Sequence, residues 1–268
     1  MKRWQKAQNS ERAFWESSFK DEEAFRKMCL GFYPIYKEFL DKNEIDTTDK
    51  IILDCGSGSY GFVSVIDGKS KYALDPLMDY FKTKVPQDFY KEKNIIPIQG
   101  TGEDLSFEKD FFDLICCINT LDHADNPGMV MQEANRCLKT GGYLLLSCNH
   151  YARPIVMYRR FLELIGAGDL CHPNTYHLDD IKRLIYLNGF KIIDQKIGDT
   201  KEMSQKIAEA GGQTNVTVKE RATRAIKSKG WWHIFKQMLA APLHFIFNKL
   251  FKTYPDSIFL CQEEYDLK

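Results

Sequence analysis

The stretch IILDCGSGSYG, residues 51–61, decides the fold of this chain. Its first half is an apolar run typical of a buried strand, and its second half places glycines at alternate positions. Such glycines let the backbone turn sharply at the carboxyl end of a strand and approach a ligand closely. Gly56, Gly58 and Gly61 fit the pattern G-x-G-x-x-G, so a nucleotide-type cofactor is the first hypothesis. An ordinary strand-to-helix turn is the alternative.

An acidic residue, Asp54, precedes the first glycine by two positions. In dinucleotide dehydrogenases this position is usually small or apolar, because a carboxylate would repel the nearby pyrophosphate. A carboxylate suits a ligand that carries an ammonium group. At these residues the chain resembles the class I S-adenosylmethionine-dependent methyltransferases, whose first motif is an apolar strand followed by Asp/Glu-x-Gly-x-Gly. The resemblance implies S-adenosylmethionine as the cofactor, with Gly56 and Gly58 against its amino-acid tail and Asp54 close to its ammonium group.

A second acidic residue ends the next expected strand. Asp75 closes the segment Tyr72-Ala73-Leu74-Asp75, about twenty residues after the glycines. One carboxylate can accept hydrogen bonds from two ribose hydroxyls, which is the chemical reason for an acid at this place. A surface aspartate that caps the following helix is the alternative interpretation.

The segment QGTGEDLSF, residues 99–107, is similar to the adenine loop of the same family. Thr101 stands where the family usually has an aspartate that accepts from the adenine amino group. We expect either Glu103 or the Thr101 hydroxyl to replace that contact, and the backbone amides of Gly102 and Glu103 to serve the ring.

The fourth expected strand and its exit loop, residues 112–127, match the phenylalanine-aspartate strand and loop of the family. In the family, the carboxyl end of this strand, where Asn119 lies here, faces the reacting sulfonium. The helix and Gly-Gly segment at 133–143 and the Gly-Phe entry to a sixth strand at Phe190 also fit. The resemblance covers roughly residues 50–197, with the motifs in the order of the family.

Strand-like and helix-like segments alternate from residue 51 onward, which predicts an α/β fold. We expect a Rossmann-like, seven-stranded, mostly parallel sheet with helices on both faces. The expected strands are Ile51–Cys55, Lys71–Leu74, Ile95–Ile98, Phe112–Ile118, Tyr143–Cys148, Phe190–Ile197 and Ser257–Gln262. The helical patterns between them include Met129–Leu138 and Leu178–Asn188.

Four regions are expected along the chain. Residues 1–49 form an N-terminal helical cap, with a helical pattern over 8–40 whose end Pro34 marks. Residues 50–198 form the S-adenosylmethionine-binding core, and residues 257–268 return to it as the final strand. A helical insertion, residues 199–256, separates the two parts of the core.

The insertion has two unlike halves. Residues 199–230 are polar and basic, whereas residues 231–251 are strongly apolar with a narrow polar stripe at helical spacing. Pro242 should kink the apolar half. Three interpretations are open: a lid over the substrate pocket, a contact within a homodimer, and peripheral attachment to a membrane surface through 231–251.

Composition limits the classes of partner and the compartment. Lys and Arg total 37 and Asp and Glu total 37, so the formal net charge is zero and no nucleic-acid partner is expected. The eight cysteines form no C-x-x-C pair, which favours a reduced, cytoplasmic protein. The first residues lack the apolar segment of a signal peptide, and no apolar run predicts a membrane-spanning helix.

Methyl transfer is an in-line displacement, and a general base is needed where the acceptor must lose a proton. His123 and His150, expected in loops at the carboxyl ends of strands, are the candidate catalytic bases. His172 and His177 flank a further loop. Whether this loop folds back over the site is left open by the sequence. Histidines and acids form no cluster with metal-ligand spacing, so no metal site is expected.

We expect O-methylation of a small-molecule, sugar or lipid-linked acceptor. The chain has no Asn/Asp-Pro-Pro-Tyr/Phe segment after the fourth strand and no Pro-Cys in a nucleobase-methylating context. These absences disfavour methyltransferases of exocyclic amines and nucleobases. A non-catalytic S-adenosylmethionine-binding regulator or complex subunit is the second interpretation, and an NAD-dependent oxidoreductase is the third.

Overall fold

The computed structural model describes residues 3–19, 22–166, 168–169, 171–198 and 253–263. Two helices precede the first strand, and strands then alternate with helices. The helices are α1 (Arg3–Ser18), α2 (Glu22–Lys42), α3 (Met78–Lys82), α4 (Phe89–Glu92), α5 (Pro127–Cys137), α6 (Arg153–Leu164) and α7 (Leu178–Leu187). The strands are β1 (Ile51–Cys55), β2 (Ser70–Asp75), β3 (Ile95–Gln99), β4 (Phe112–Ile118), β5 (Leu138–Tyr151), β6 (Phe190–Lys196) and β7 (Thr253–Glu263).

The seven strands form one sheet in the order β3-β2-β1-β4-β5-β7-β6. Strands β1 to β5 pair in parallel, and β7 lies antiparallel between β5 and β6. This arrangement confirms the predicted Rossmann-like, mostly parallel sheet. The strand order reverses between β1 and β4, so the carboxyl ends of these two strands border the crevice in which open α/β sheets bind ligands.

Apolar residues cover both faces of the sheet, because successive side chains of a strand point to opposite faces. Ile52 belongs to a buried cluster that includes Tyr36 and Phe39 of α2. Its neighbour Leu53 belongs to the cluster on the other face, which includes Val130 of α5. The helices therefore fix β1 from both sides, directly below the glycine turn.

The N-terminal segment differs from the prediction. The helical pattern over 8–40 is two helices, and Pro34 lies inside α2 instead of ending it. A proline inside a helix removes one backbone hydrogen bond and crowds a carbonyl four residues earlier. Tyr36, Phe39 and Leu40, which follow Pro34, are buried in the core. Their packing outweighs the cost of the proline, and the helix continues to Lys42.

Strand β5 is longer than predicted at both ends. It begins at Leu138, directly after α5, so Gly141 and Gly142 lie inside the strand and do not form a stop before it. Its register with β4 shifts near this start, and Gly141 has a φ of 78°. The two glycines therefore allow an irregularity in the strand, as in a β-bulge, which a substituted residue would resist.

Strand β7 begins at Thr253, earlier than the predicted Ser257. Most of the predicted insertion (199–256), namely residues 199–252, and residues 264–268 lie outside the described residues, whereas residues 253–256 belong to β7 and not to a helical insertion. The three interpretations of the insertion and the division into four regions therefore stay predictions. In the part of the chain that the structure describes, no helix is both long and apolar enough to cross a membrane.

Candidate cofactor and acceptor site

A cleft lies at the carboxyl ends of β1, β2 and β4 and consists of two adjoining cavities. The smaller cavity has a volume of about 60 Å³ and the larger one about 340 Å³. The residues shared by both walls are Glu11, Gly56, Asp75, Asn119 and His123. The cavities therefore meet where the strand order reverses, as expected for a ligand site in this class of sheet.

The glycine turn forms the floor of the cleft. The amides of Gly56 and Ser57 both donate to the carbonyl of Leu74, at 2.8 and 3.1 Å, so the turn is fixed to β2. Gly56 has a φ of 73°, and a Cβ atom added there would lie 2.5 Å from Oγ1 of Thr120. Both the backbone conformation and the space therefore require glycine at this position.

Asp54 lies beneath the turn. It is 1% exposed and is not among the described residues that line either cavity. Its Oδ2 accepts a hydrogen bond from the amide of Val63 at 3.3 Å. Burial raises the pKa of Asp54 to about 7 in spite of this bond. The carboxyl group therefore holds the turn from below, and its proximity to an ammonium group of the cofactor stays a prediction.

Asp75 ends β2 and lines both cavities. Its Oδ2 accepts from the amide of Gly58 at 3.0 Å, and its Oδ1 accepts from the amide of Leu77 at 2.8 Å. Burial, and after it the negative charge of Glu11, raise the pKa of Asp75 to about 7. A carboxylate oxygen has two acceptor positions, so each oxygen of Asp75 has one position beyond these two bonds.

The expected adenine loop borders the smaller cavity, which Thr101, Gly102 and Glu103 line. Oε1 of Glu103 accepts from the amides of Asp125 at 2.8 Å and Asn126 at 3.3 Å. This carboxylate therefore fixes the loop between β4 and α5. Of the two residues expected to replace the family's aspartate, Thr101 is therefore better placed than Glu103 to contact the adenine amino group.

Asn119 follows β4 at the junction of the two cavities and has a φ of 51°. Few residues other than glycine adopt this left-handed conformation, and asparagine is one that tolerates it. The amide of Asn119 donates to the carbonyl of Ser147 at 3.1 Å, and its Oδ1 accepts from Nδ2 of Asn149 at 3.4 Å. Contacts from β5 therefore hold a strained backbone at the cleft, where such strain is typical of functional sites.

Helix α1 supplies a wall of the cleft that the motifs did not indicate. Trp4, Gln8 and Glu11 line the smaller cavity, and Glu11 and Trp15 line the larger one. A Cβ atom added at Gly58 would lie 3.2 Å from the Trp15 ring, so α1 covers the glycine turn. The aromatic residues of α1 are the one sequence signal for this position, since no family motif lies in the segment.

The larger cavity has an aromatic wall and a polar end. The aromatic residues that line it are Phe14, Trp15, Phe32, Tyr33 and Tyr36. The polar end consists of Glu11, His123 and His172. A cavity of this kind can enclose an apolar or aromatic group and orient one polar group at its end.

His123, one of the two candidate bases, lies in this polar end. Its Nδ1 is 3.4 Å from Oε2 of Glu11, and its Nε2 is 3.9 Å from Oδ1 of Asp122. Burial by itself lowers the pKa of His123, but the contact with Glu11 and the charge of Asp122 outweigh burial and raise the pKa to about 9. At neutral pH the imidazole of His123 is therefore mostly cationic, and a general base at this position must first lose that proton.

His150, the other candidate base, is not among the described residues that line either cavity. It is 3% exposed, its Nδ1 is 3.2 Å from Oγ of Ser257, and burial lowers its pKa to about 4. The prediction placed His150 in the loop after the fifth strand. The structure corrects this placement: β5 continues to Tyr151, so His150 is a residue of the sheet, paired with β7, and not of the loop after it.

The loop after α6 folds back over the cleft. The amide of Asn174 donates to the carbonyl of Asp122 at 3.2 Å, which brings the two loops together. The ring centroids of His123 and His172 are 4.5 Å apart as a result. His177, at the other end of this loop, instead caps the N-terminus of α7.

One cluster in this region was not predicted from spacing. Asp122, His123 and His172 each offer a ligand atom, and these atoms lie within 4.8 Å of one another. His172 is distant in sequence from the other two residues, and hydrogen bonds from Asn174 and Tyr176 to the loop after β4 bring it close. Sequence spacing therefore gave no signal for this group.

The sheet order, the glycine turn after β1 and the acid that ends β2 define the class I S-adenosylmethionine-dependent methyltransferase fold. A family model described as a methyltransferase domain matches residues 21–195. The chain belongs to this methyltransferase family, which confirms the resemblance carried by the motifs.

Solved structures share the fold at low sequence identity. One is a geranyl diphosphate C-methyltransferase from Streptomyces coelicolor, solved with Mg²⁺, geranyl diphosphate and S-adenosyl-L-homocysteine. It is 13% identical to this chain with a TM-score of 0.58, and the match covers 86% of this chain and 79% of that one. The YcgJ protein of Bacillus subtilis is 16% identical with a TM-score of 0.53, over 86% of this chain and 98% of that one. At these identities the likeness concerns the fold alone.

One curated relative is similar in sequence over a short segment. The uncharacterized protein MJ1123 of Methanocaldococcus jannaschii is 34% identical over 73 residues, which are 25% of this chain. The match spans 36% of the length of that relative.

Proposed function

We propose that this chain transfers a methyl group from S-adenosylmethionine to a hydroxyl group of a small acceptor. The observation that carries the proposal is a cleft with two different walls. Asp75 and Thr101 offer polar groups suited to an adenosine on the side of the smaller cavity. The larger cavity offers an aromatic wall with a polar end, suited to an acceptor. Membership of a methyltransferase family supports the reaction class.

The residues of the cleft fit this cofactor. Asp75 has one acceptor position beyond its present bond on each oxygen, which suits two ribose hydroxyls. The turn at Gly56 and Gly58 presents backbone without side chains, so a ligand can approach it closely. The Thr101 hydroxyl can donate or accept, and it borders the smaller cavity where the adenine belongs.

When bound, this cofactor supplies a methyl group that its sulfonium has already activated. The chain contributes position and exclusion of water. Gly56 and Asn119 stand at the junction of the two cavities, and Gly58 and Asp75 extend the cofactor side into the larger cavity. The aromatic wall holds the apolar part of an acceptor, and the polar end receives its hydroxyl group. We therefore favour acceptors whose hydroxyl is attached to an aromatic or other apolar group, with sugars and lipid-linked acceptors as further classes.

The test has a binding step and a transfer step. Calorimetry of the full chain with S-adenosylhomocysteine measures binding, and radiolabelled S-adenosylmethionine with separate panels of phenols, sugars and lipid-linked alcohols measures transfer. We expect stoichiometric binding and labelled product from at least one hydroxylated class. Phe32→Ala should lower transfer more than it lowers cofactor binding, because Phe32 lines the larger cavity and not the smaller one.

Phe161→Ala is the matched control, since Phe161 is 52% exposed on α6, outside both cavities. Binding without transfer to any panel would contradict the proposed enzyme and favour the non-catalytic regulator. Preferential binding of NAD would contradict the cofactor assignment and favour an oxidoreductase.

A further inference from the structure

We infer that Asp122, His123 and His172 form a binding site for one divalent transition-metal cation at the polar end of the larger cavity. Their ligand atoms lie within 4.8 Å of one another in the described structure. Two imidazoles and one carboxylate are a donor set that first-row divalent metals use. Metal–ligand bonds of about 2.1 Å place ligand atoms about 3–4 Å apart, so small side-chain rotations complete the site.

A buried oxygen without a partner points into this cluster. The Asp122 side chain is 6% exposed, and its Oδ1 has no hydrogen-bond partner among the described residues. Nε2 of His123 is 3.9 Å from this oxygen, beyond hydrogen-bond distance. Buried carboxylate oxygens rarely stay unsatisfied, because the loss of hydration is costly. A cation between Asp122 and the imidazoles removes that cost.

Carboxylates also stand behind both histidines. Nδ1 of His172 forms a hydrogen bond with Oδ2 of Asp169 at 3.0 Å, whereas Nδ1 of His123 lies 3.4 Å from Oε2 of Glu11 without meeting hydrogen-bond geometry. Histidines that bind metals commonly donate their other ring N–H to a carboxylate, which fixes the tautomer and the ring orientation. Nε2 of each ring is then the metal ligand, and binding of the cation displaces the proton that His123 carries in the empty site.

The site has access to the acceptor, since His123 and His172 both line the larger cavity. Three protein ligands leave coordination positions open, as in catalytic metal sites. A cation held by Asp122, His123 and His172 would lower the pKa of an acceptor hydroxyl group and favour release of its proton to solvent, which would prepare the oxygen to accept a methyl group. This role rests on the proposed function, whereas cation binding itself does not.

The test is cation binding by the full chain after treatment with a chelator, with neither cofactor nor acceptor present. Calorimetry with Mn²⁺ and with Zn²⁺ measures affinity and stoichiometry, and visible absorption of the Co²⁺-loaded protein reports imidazole ligands. The variants are Asp122→Asn and His172→Ala. Asp125→Asn is the matched control, because it makes the same change at an exposed residue of the same loop.

We expect the wild type and Asp125→Asn to bind one equivalent of cation. Asp122→Asn and His172→Ala should each bind at least about 100-fold more weakly. Circular dichroism checks folding, and His172→Ala decides the result if Asp122→Asn does not fold, since the His172 side chain is 38% exposed.

A wild type that binds none of the three cations would overturn the inference, and so would unchanged affinity in His172→Ala. Binding of S-adenosylhomocysteine is measured on the same samples without metal. A wild-type chain that binds S-adenosylhomocysteine but no cation contradicts the metal site. A wild-type chain that binds cation but no S-adenosylhomocysteine contradicts the proposed function, so the two failures are distinguishable.

Discussion

At the residue scale, Asp75 is the side chain on which the proposed cofactor site depends most. Asp75→Asn keeps the size of the side chain and removes its charge. We expect affinity for S-adenosylhomocysteine to fall about 10- to 100-fold, because a hydrogen bond to a charged group contributes about 1.5–3 kcal/mol. Calorimetry at alkaline pH measures the change. Asp79→Asn is the control, since the Asp79 side chain is 67% exposed on α3; equal affinity in both variants would refute the role of Asp75.

The same carboxyl group predicts a pH dependence of cofactor binding. Burial and the charge of Glu11 raise the pKa of Asp75 to about 7, and burial raises that of Asp54 to about 7. Hydroxyl donors bind the ionised carboxylate better, so affinity for S-adenosylhomocysteine should rise as pH increases through roughly 7. Glu11, Asp54 and Tyr90 are the titratable groups that interact with Asp75.

Calorimetry across this pH range in the wild type and in Asp75→Asn separates the contribution of Asp75 to the pH dependence from that of Asp54. We expect the variant to keep only the smaller rise due to Asp54. An affinity that falls with increasing pH in the wild type would contradict the assignment of an ionised Asp75 to the ribose.

At the scale of elements, the turn after β1 requires glycine. In Gly56→Ala, the new Cβ would lie 2.5 Å from Oγ1 of Thr120 at a φ of 73°, so the turn must shift away from β4. We expect affinity for S-adenosylhomocysteine to fall by more than about 10-fold while the sheet stays folded, as measured by calorimetry and circular dichroism. Gly128→Ala is the control, because Cβ there would be 3.3 Å from the nearest atom, Oδ1 of Asn126. Wild-type affinity in Gly56→Ala would show that the turn does not contact the cofactor.

Helix α1 forms a wall of the smaller cavity, whose volume is about 60 Å³. An adenosine exceeds this volume, so we predict that α1 moves when the cofactor enters. Arg3 of α1 forms an ion pair with Glu163 of α6 and donates to the carbonyl of Asp169, and both contacts hold the helix in place. We expect Arg3→Ala to speed association of S-adenosylhomocysteine several-fold, as measured by stopped-flow tryptophan fluorescence.

Lys27→Ala is the control for this prediction, since it removes a cation whose ion pair with Glu23 lies within α2. An association rate that Arg3→Ala does not change would show that α1 does not limit entry.

The elements also show where sequence patterns are informative. The core strands were predictable because their apolar runs end in glycine, aspartate or asparagine. Pro34 and the Gly141–Gly142 pair misled the prediction because local preference favours a break at these residues. In both places burial on either side of the break keeps the element continuous.

At the scale of the whole molecule, the seven-stranded, mostly parallel sheet was predictable, and so was a set of residues that line the smaller cavity, because they lie in motifs along the chain. Asp75, Thr101, Gly102, Glu103 and Asn119 all line the smaller cavity. The acceptor side was not predictable, because α1 and the loop around His172 reach it from distant parts of the chain. The extended β5 likewise removed His150 from the cleft, which its sequence position did not reveal.

The most direct test of the central claim is a calorimetric titration of the full chain with S-adenosylhomocysteine, with NAD titrated in parallel. The assignment of S-adenosylmethionine as the cofactor predicts one binding site for S-adenosylhomocysteine, weakened by Asp75→Asn and unaffected by Asp79→Asn, and no comparable binding of NAD. Absence of binding at millimolar S-adenosylhomocysteine, or tighter binding of NAD, would contradict it.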